Sequence, residues 1–290
     1  MKIPNKQVNM RIIEYVSVVN AVRDLCINAA SSLPSDVVDR INEAYDQEPF
    51  PRARYLISQI IENSKLSVSS GMPLCQDTGL AIYFISLGEG IRIEGGSLTD
   101  AVNEGTRRGY NEGYLRKSIV KDPLFSRTNT GDNTPAVIHI DPVPGDSLTI
   151  TLLPKGGGCE NMSYLGMLKP SDGREGVVKF VTDCVVRSGG NPCPPVVVGI
   201  GIGGTADKAC YLAKKSLLRD IGSVHEDPCY AGLETEILEN LNQSGIGPLG
   251  LGGKITALAV HIEHFPCHIA SLPVAVSLNC HSARKASLIL

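Results

Sequence analysis

The sequence predicts a mixed α/β (α+β) fold, in which a helical N-terminal segment is followed by a mixed β-sheet packed with helices. Apolar residues recur at helical spacing between about residues 8 and 68. After that segment, compact β-branched runs bounded by glycine, such as residues 80–87, indicate strands. Strand and helix patterns then alternate without an internal repeat or a low-complexity linker. We therefore expect one domain over residues 1–290.

Local patterns predict each element in order. Amphipathic stretches predict helices at residues 36–45, 97–116, 175–187, 206–219 and 233–242. Short apolar runs predict strands at residues 80–87, 136–140, 148–153, 196–202, 255–262 and 274–278. Ser97 and Asp100 have the character of N-terminal helix residues. Turn-forming residues at 141–146 predict that the strands on either side form an antiparallel pair.

Composition excludes several classes of protein. A net charge of −3 and only five Phe with no Trp provide neither the basic surface nor the stacking residues of a nucleic-acid-binding protein. No apolar run approaches the roughly 18 residues of a membrane span, and the first residues show no apolar core of a secretory signal. Nine scattered cysteines do not suggest a secreted disulfide scaffold. We expect a cytoplasmic location, where thiols stay reduced.

Three cysteines lie in loops rich in Gly, Pro or small polar residues. Cys75 lies in GMPLCQDTG, Cys193 in GGNPCPP and Cys280 in LNCHSAR. Each stands where a predicted strand meets a loop, so its sulfur can project from a rigid edge. Three thiolates from distant loops can hold three irons of a cubane and leave the fourth iron open as a Lewis acid.

Each of these cysteines also has a simpler structural interpretation. Cys75 can also be interpreted as a cysteine that is merely packed in its loop, beside a local Asx turn that starts at Asp77. The prolines around Cys193 restrict the backbone, which suits either a metal ligand or a plain rigid turn. Cys280 has Arg284 nearby, whose positive charge would favour a thiolate, but it could equally be a buried cysteine near a frayed C-terminus.

The other six cysteines fall into two groups. Three lie in helical patterns and are expected in the core: Cys26, Cys184 and Cys210. Three lie in predicted loops: Cys159, Cys229 and Cys267. Cys159 belongs to a glycine-rich loop, KGGGCENMS at residues 155–163, whose bare backbone amides could bind an anion or could form a flexible turn.

Two motifs compete with an iron–sulfur interpretation. Residues 199–204 fit the dinucleotide pattern G-x-G-x-x-G, which makes an NAD-linked dehydrogenase the alternative of a different class. The acid at the expected distance, Asp220, closes a helix, so close helix–strand packing is the preferred explanation of the glycines. His261, His264 and His268 have metal-like spacing, but a predicted strand and Pro266 argue against a zinc-binding helix.

Five motifs appear in a fixed order along the chain. They are LCQDTG, NTGDNTP, KGGGCENMS, NPCPP and GPLGLGG, at residues 74–79, 129–135, 155–163, 191–195 and 247–253. Together they resemble the iron–sulfur hydro-lyases, namely class I fumarate hydratase and L(+)-tartrate dehydratase. The resemblance runs from about residue 51 to residue 284. It is to the N-terminal half of the one-chain enzymes or to the α subunit of the two-chain form.

The resemblance implies a [4Fe–4S] cluster with one open, labile iron, held by Cys75, Cys193 and Cys280. It implies reversible addition of water to a small unsaturated dicarboxylate. It further implies substrate-binding roles for Gln76, Asp77, Arg116 and the Gly157 backbone, and catalytic roles for Asp77 and His268. Arg107 and Arg108 are rivals of Arg116, which is expected to end a helix.

The motifs favour fumarate hydratase, which interconverts fumarate and (S)-malate, over L(+)-tartrate dehydratase. The family's C-terminal domain is expected on a separate β subunit, in an α2β2 heterotetramer. Since the chain ends ten residues after Cys280, we expect it to be inactive alone. A cluster-bearing sensor or scaffold without turnover remains a further alternative at this point.

Overall fold

The computed structural model describes residues 10–290. Its strands are β1 (Arg11–Glu14), β2 (Leu80–Gly88), β3 (Ile91–Glu94), β4 (Val137–Val143), β5 (Leu148–Lys155), β6 (Tyr164–Leu168), β7 (Val196–Gly203), β8 (Ala257–Phe265), β9 (Leu272–Asn279) and β10 (Ala286–Ile289). Its helices are α1 (Tyr15–Ser31), α2 (Ser35–Gln47), α3 (Pro51–Ser70), α4 (Leu98–Glu112), α5 (Gly157–Glu160), α6 (Gly173–Ser188), α7 (Ala206–Ser216) and α8 (Pro228–Asn242). The predicted mixed α/β class is confirmed.

The described residues form two compact units. The first unit contains the residues up to Ser32, together with Cys75–Pro154 and Arg284–Leu290. The second unit contains Leu33–Leu74 and Lys155–Ala283. Both units are therefore built from separate stretches of sequence. Whether they fold together as one domain over residues 1–290 stays a prediction.

The first unit is organised around a four-stranded sheet with the order β10-β5-β2-β4. Strands β2 and β4 are parallel, whereas β10 runs antiparallel to β5. A second, two-stranded sheet pairs β1 with β3 in parallel. Helices α1 and α4 pack against each other, and their apolar faces join the buried side of β2 and β5 in one core.

The second unit is organised around a four-stranded sheet with the order β6-β9-β7-β8. Strands β7 and β8 are parallel, and β9 runs antiparallel to both β7 and β6. Strand β7 is buried along its whole length, as expected for the centre of a sheet covered on both faces. Glu48, at the end of α2, is buried, and its carboxylate accepts backbone N–H bonds from Lys254 and Ile255, each at 2.9 Å.

The predicted helical segment at 8–68 is correct for most of its length but wrong at its start. Arg11–Glu14 is a strand, because its backbone pairs with Ile91–Glu94, which the sequence analysis did not identify as a strand. Only Ile13 of these four residues is buried, so the apparent helical spacing there did not reflect a helix face. Residues 8 and 9 lie outside the described residues. At the other end, α3 continues to Ser70 and ends at Gly71, which has a left-handed backbone with φ 71°.

The predicted antiparallel pair at residues 136–140 and 148–153 is wrong in its pairing. Both segments are strands, but β2 lies between β4 and β5 in the sheet. The turn residues that join them are compatible with a hairpin, yet β4 instead pairs in parallel with β2. Strands β6 and β10 were not predicted from local patterns. Because β10 pairs with β5, the C-terminal segment is not frayed.

The glycines at residues 199–204 are explained by close packing, as predicted. A Cβ atom on Gly201 would lie 2.0 Å from the carbonyl oxygen of Ala209, and one on Gly199 would lie 2.2 Å from that of Ala213. Both carbonyls belong to α7, which packs on β7. Any larger residue would push the helix away from the strand.

We therefore expect Gly201→Ala to destabilise the chain by about 1–3 kcal/mol, the usual cost of overpacking a core. The matched control is Gly232→Ala on α8, where an added Cβ meets nothing within 4 Å. This control should be neutral or more stable by up to about 1 kcal/mol, because alanine is the better helix former. Denaturant unfolding measures both variants. Equal stability of the two variants would contradict the packing argument.

The cysteines outside the candidate ligand set follow the predictions in part. Cys26 and Cys184 are buried on α1 and α6, as expected. Cys210 is exposed on α7, so its prediction as a core residue is wrong, because it lies on the solvent side of that helix. Cys229 lies in the first turn of α8 instead of in a loop. Among residues 10–290, no helix is long and apolar enough to cross a membrane.

Candidate active site

The loop that carries Cys75 lies in the first unit, immediately before β2. Cys75 and Gln76 are exposed, and Asp77 is half-buried. One carboxylate oxygen of Asp77, Oδ1, accepts the backbone N–H of Gly79 at 3.1 Å. This contact is the Asx turn expected at Asp77, and it fixes the direction of the carboxylate.

Two buried side chains hold the end of this loop in place. The Tyr110 hydroxyl donates to the carbonyl oxygen of Gly79 at 2.9 Å, and the Asn133 amide donates to the same oxygen at 3.2 Å. Burial raises the pKa of Tyr110, so the phenol stays protonated and remains a donor. Asn133 is completely buried and has a left-handed φ of 61°, which asparagine tolerates better than most residues. No local sequence pattern predicted these roles of Tyr110 and Asn133.

Arg116 is brought to the same loop, although not by a helix end. Helix α4 ends at Glu112, so the prediction that Arg116 ends a helix is wrong; Tyr114, with φ 53°, turns the chain away before it. The Thr78 hydroxyl then donates to the carbonyl oxygen of Arg116 at 3.0 Å. The Arg116 side chain is exposed.

The rival arginines are engaged elsewhere. Arg107 and Arg108 both pair with the Glu104 carboxylate on α4, the latter at 2.6 Å. These contacts are ordinary helix-surface pairs at three- and four-residue spacing. Among the three arginines, Arg116 is therefore the one whose backbone is tied to the Cys75 loop.

Arg284 provides a buried positive charge in the first unit. Its side chain is only 2% exposed, and Nη2 donates to the backbone carbonyl oxygen of Asp77 at 2.9 Å. Its Nε and Nη1 atoms have no hydrogen-bond partner among residues 10–290. Buried guanidinium donors are normally paired, so two donors without a partner mark a position where an anion would be stabilised.

The loop of Cys193 lies in the second unit, directly before β7. Cys193 is exposed and has a left-handed φ of 53°, a strained conformation for a residue with a side chain. Its carbonyl oxygen accepts the backbone N–H of His281 at 3.2 Å, which ties the loop to the segment after β9. The carbonyl oxygen of Pro194 accepts the N–H of Leu249 at 2.7 Å, from the GPLGLGG motif.

Cys280 follows β9 and lies next to Cys159 of the short helix α5. The neighbouring Cys280 thiol and burial raise the pKa of Cys159. Cys159 also lies 3.4 Å from the carbonyl oxygen of Pro192, the residue before Cys193. The second unit thus brings Cys159, Cys193 and Cys280 together, while Cys75 belongs to the first unit.

A buried lysine lies at the same place. Lys155 is 1% exposed, and its Nζ donates to the carbonyl oxygen of Leu278 at 2.5 Å, two residues before Cys280. Burial lowers the pKa of Lys155, against the opposing effect of Cys159 and Glu160. Glu160 lies 3.7 Å from this ammonium and also pairs with Lys214 at 2.5 Å. The glycine-rich sequence at residues 155–163 predicted an anion-binding loop that includes Lys155, but it gave no signal for a buried charge there.

His268 lies in the second unit, in the loop between β8 and β9. It is exposed and lines a cavity of about 740 Å³ together with Cys229, Tyr230 and Cys267. The described residues that line this cavity do not include the three clustered cysteines. The ring nitrogen Nδ1 accepts the N–H of Ala270 at 3.1 Å, so a neutral ring carries its proton on Nε2. The prediction that His261 lies on a strand is confirmed, since β8 contains it.

The residues of the second unit fit an iron–sulfur ligand set in their donor chemistry. Thiolates are the usual ligands of such clusters, and the second unit contains the thiols of Cys193 and Cys280, the latter near the Lys155 ammonium. Among residues 10–290, no three His, Cys, Asp or Glu side chains are grouped closely enough to hold a single metal ion. Ligands to different irons of a cubane stand further apart than ligands to one ion.

Known proteins resemble this chain over most of its length. The family model described as fumarate hydratase (Fumerase) matches residues 19–289. A protein of Methanocaldococcus jannaschii named "Putative L(+)-tartrate dehydratase subunit alpha" is 46% identical over 272 residues, which cover 92% of this chain and 95% of that protein. The L(+)-tartrate dehydratase subunit alpha of Escherichia coli O157:H7 is 36% identical over 268 residues, covering 90% of this chain and 86% of the relative.

These similarities show the class of enzyme to which the chain belongs. It is a hydro-lyase of the class I fumarase type, as the sequence motifs predicted. More particularly, the chain belongs to the family of class I fumarase and L(+)-tartrate dehydratase α subunits. The relatives are named as dehydratases, so the dehydrogenase alternative based on residues 199–204 gains no support from them.

Proposed function

We propose that this chain is the α subunit of an L(+)-tartrate dehydratase. The observation that carries the proposal is the high identity to relatives bearing that name, over nine-tenths of the chain. The sequence motifs favoured fumarate as substrate, and the names of the relatives support tartrate, the alternative, instead. Loss of water from a 2,3-dihydroxy dicarboxylate gives an enol, which becomes a 2-oxo dicarboxylate.

In this proposal Cys75, Cys193 and Cys280 hold a [4Fe–4S] cluster with one open iron. When bound, the cluster supplies a Lewis acid that polarises the hydroxyl group to be lost. The buried Lys155 ammonium balances the negative charge of the thiolates in the second unit. Cys159 is not a ligand in this assignment.

Positive charges and backbone donors bind the substrate carboxylates. Arg116 has the planar fork that suits a carboxylate, its side chain is exposed, and its backbone carbonyl is bonded to Thr78 of the Cys75 loop. Gln76 is exposed on that loop and supplies an amide donor. Gly157, at the start of α5, contributes its backbone. Arg284 supports this arrangement by holding the Asp77 carbonyl.

Two residues are proposed to move protons. Asp77 is held by its Asx turn, so its carboxylate is already directed before substrate binds, which lowers the cost of orienting a base. His268 donates from Nε2 when its ring is neutral, because Nδ1 is occupied as an acceptor.

A β subunit is the proposed partner, in an α2β2 assembly, because the relatives are named as α subunits. Chemistry on a dianion needs several positive groups and a base around the reacting carbon. The first unit provides two arginines for the substrate carboxylates, the exposed Arg116 and the buried Arg284. The remaining groups are assigned to the partner.

We expect the purified chain, with its cluster reconstituted anaerobically, to dehydrate L(+)-tartrate negligibly. Addition of the β subunit should raise turnover by at least about 10²-fold, the scale on which placed acid–base groups act. The measurement is oxo-acid formation under anaerobic conditions. The matched control is the β subunit alone. Comparable turnover by the isolated chain and by the mixture would contradict the two-subunit proposal.

Fumarate hydratase is the second candidate. It is supported by the description of the matching family model and by the KGGGCENMS and NTGDNTP motifs. The saturated substrates of the two reactions, L(+)-tartrate and (S)-malate, differ by one hydroxyl group, which a few polar contacts discriminate. The same assembled enzyme therefore distinguishes the two candidates when it is assayed with both substrates.

A further inference from the structure

Arg116, the arginine proposed to bind a substrate carboxylate, lies on a long connection between α4 and β4. Residues 113–136, which the structure describes in full, contain neither a helix nor a strand, only an isolated bridge between Val120 and Asn129. Connections of this length without secondary structure are uncommon in compact domains, and they are usually either functional or disordered. An arginine on such a segment binds substrate more tightly if its backbone is held in place, because its long side chain already loses conformational entropy on binding.

Two hydrogen bonds to buried side chains hold the backbone around Arg116. The carbonyl oxygen of Arg116 itself accepts the Thr78 hydroxyl at 3.0 Å. The N–H of Ser118 donates to the side-chain oxygen Oδ1 of Asn133 at 2.7 Å. Both Thr78 and Asn133 are buried, so these bonds form away from water, where a hydrogen bond is electrostatically stronger.

The same two side chains connect this segment to the loop that carries Asp77. Thr78 follows Asp77 directly in the chain. The Asn133 amide nitrogen Nδ2 donates to the carbonyl oxygen of Gly79 at 3.2 Å, so one side chain bonds to both segments. All of these residues lie in the first unit. The positions of the Arg116 backbone and of the Asp77 loop are therefore coupled by two buried side chains.

We propose that Thr78 and Asn133 are positioning residues, which act on substrate binding by fixing the Arg116 backbone relative to the Asp77 loop. The inference rests on the proposed function in one respect, the binding of a substrate carboxylate by Arg116, and it holds for either dicarboxylate. Neither Thr78 nor Asn133 contacts the substrate in this scheme. Their contribution is made through the Arg116 guanidinium, so it disappears when the guanidinium is absent.

The test is a double-mutant cycle of Thr78→Val and Arg116→Leu in the full-length chain, assembled anaerobically with its β subunit and its cluster. The substrate is whichever of L(+)-tartrate and (S)-malate gives the higher kcat/KM. Valine has nearly the shape of threonine but cannot donate to the Arg116 carbonyl. A single neutral hydrogen bond corresponds to roughly a twofold to tenfold change in an equilibrium or rate constant, so Thr78→Val alone should lower kcat/KM by about fivefold. In the Arg116→Leu background the same substitution should change kcat/KM by less than about twofold.

Substrate binding provides a second measurement. The loss in Thr78→Val should appear in KM with kcat nearly unchanged, because a contact to a substrate carboxylate is made in the ground state as well as in the transition state. Succinate, a dicarboxylate without a hydroxyl group, should compete with the substrate, and Thr78→Val should raise its inhibition constant by about the same factor. Iron content should stay at the wild-type value, because the cluster ligands are unchanged.

Thr106→Val is the matched control. Thr106 is also completely buried in the first unit, where its hydroxyl lies 2.9 Å from the Tyr83 hydroxyl and donates to the Val102 carbonyl at 2.7 Å. The control therefore removes an equally buried hydroxyl group and should lower stability in denaturant unfolding, as Thr78→Val should. Its kcat/KM should change by less than about twofold.

Asn133→Gly tests the second positioning residue. Glycine adopts the left-handed backbone of Asn133 without strain, and the substitution removes the bonds to Ser118 and Gly79 together. This variant should also lose kcat/KM through KM, and the loss should again vanish in the Arg116→Leu background. If Asn133→Gly does not fold, the cycle with Thr78→Val decides the inference.

Three results would overturn the inference. A loss in Thr78→Val that persists in the Arg116→Leu background would show that the threonine acts on another part of the site. An equal loss in Thr106→Val would show that the effect reflects stability alone. A loss in Arg116→Leu with an unchanged Thr78→Val would leave the proposed role of Arg116 intact and overturn this inference alone. Retained kcat/KM in Arg116→Leu itself would instead remove the proposed role of Arg116, and the inference with it.

Discussion

Replacing Cys193 with serine is expected to reduce the iron content of the anaerobically reconstituted chain from about four atoms to less than one. A serine oxygen is a poor ligand for cluster iron, and two remaining thiolates do not hold a cubane. Because serine has nearly the same size and Cys193 is exposed, the fold should survive the change. Iron and sulfide analysis measures the cluster content. The broad absorption at about 400 nm, which is typical of such clusters, provides a second measurement. Circular dichroism checks the fold.

The matched control is Cys184→Ser, at a cysteine buried on α6 within the apolar core. This variant should keep its iron, although it should lose some stability because a hydroxyl replaces a buried thiol. Retention of full iron by Cys193→Ser, or equal loss in both variants, would contradict the assignment of Cys193 as a ligand.

Arg116→Leu is expected to lower kcat/KM of the assembled enzyme by about 10²-fold. Hydrogen bonds to charged groups contribute about 1.5–3 kcal/mol each, and a guanidinium can make two such bonds to one carboxylate. Each 1.4 kcal/mol, roughly, corresponds to a factor of ten in the rate constant. Steady-state kinetics under anaerobic conditions measure the effect. Iron content should not change, because Arg116 is not among the proposed ligands.

Arg108→Leu is the control, since it removes the same charge from an exposed arginine that pairs with Glu104. Its kcat/KM should change by less than about threefold, because exposed ion pairs contribute little. A large loss in Arg108→Leu together with a small loss in Arg116→Leu would reverse the assignment between these arginines.

Local patterns predicted elements well where the structure depends on local contacts. The cap at Ser97 is an example, because its hydroxyl accepts the N–H of Asp100 at 3.0 Å, three residues away. Pairing between distant strands was not predictable in this way. The turn before β5 suggested that β4 and β5 form a hairpin. In the structure, β4 instead pairs with β2, which lies between β4 and β5 in the sheet. No local pattern encodes such pairing between distant strands.

In the candidate site, too, features set by local sequence could be predicted and features set by distant contacts could not. The loops of Cys75, Cys193 and Cys280 could be identified because Gly, Pro and Asp have strong local preferences. Lys155 could not be expected in a buried position, since lysine is almost always exposed unless tertiary contacts pair it. The bond from Arg284 to Asp77 joins residues 207 positions apart, and only the folded chain reveals it.

The measurement that tests the proposed function most directly is the ratio of kcat/KM for dehydration of L(+)-tartrate to that for dehydration of (S)-malate, determined anaerobically with the chain assembled with its β subunit and its cluster. We expect the ratio to exceed about 10², since a site built to bond a substrate hydroxyl strongly rejects the analogue that lacks it. The iron content measured in the same sample links turnover to the cluster. A ratio below one, or full activity in a sample free of iron, would contradict the proposed function.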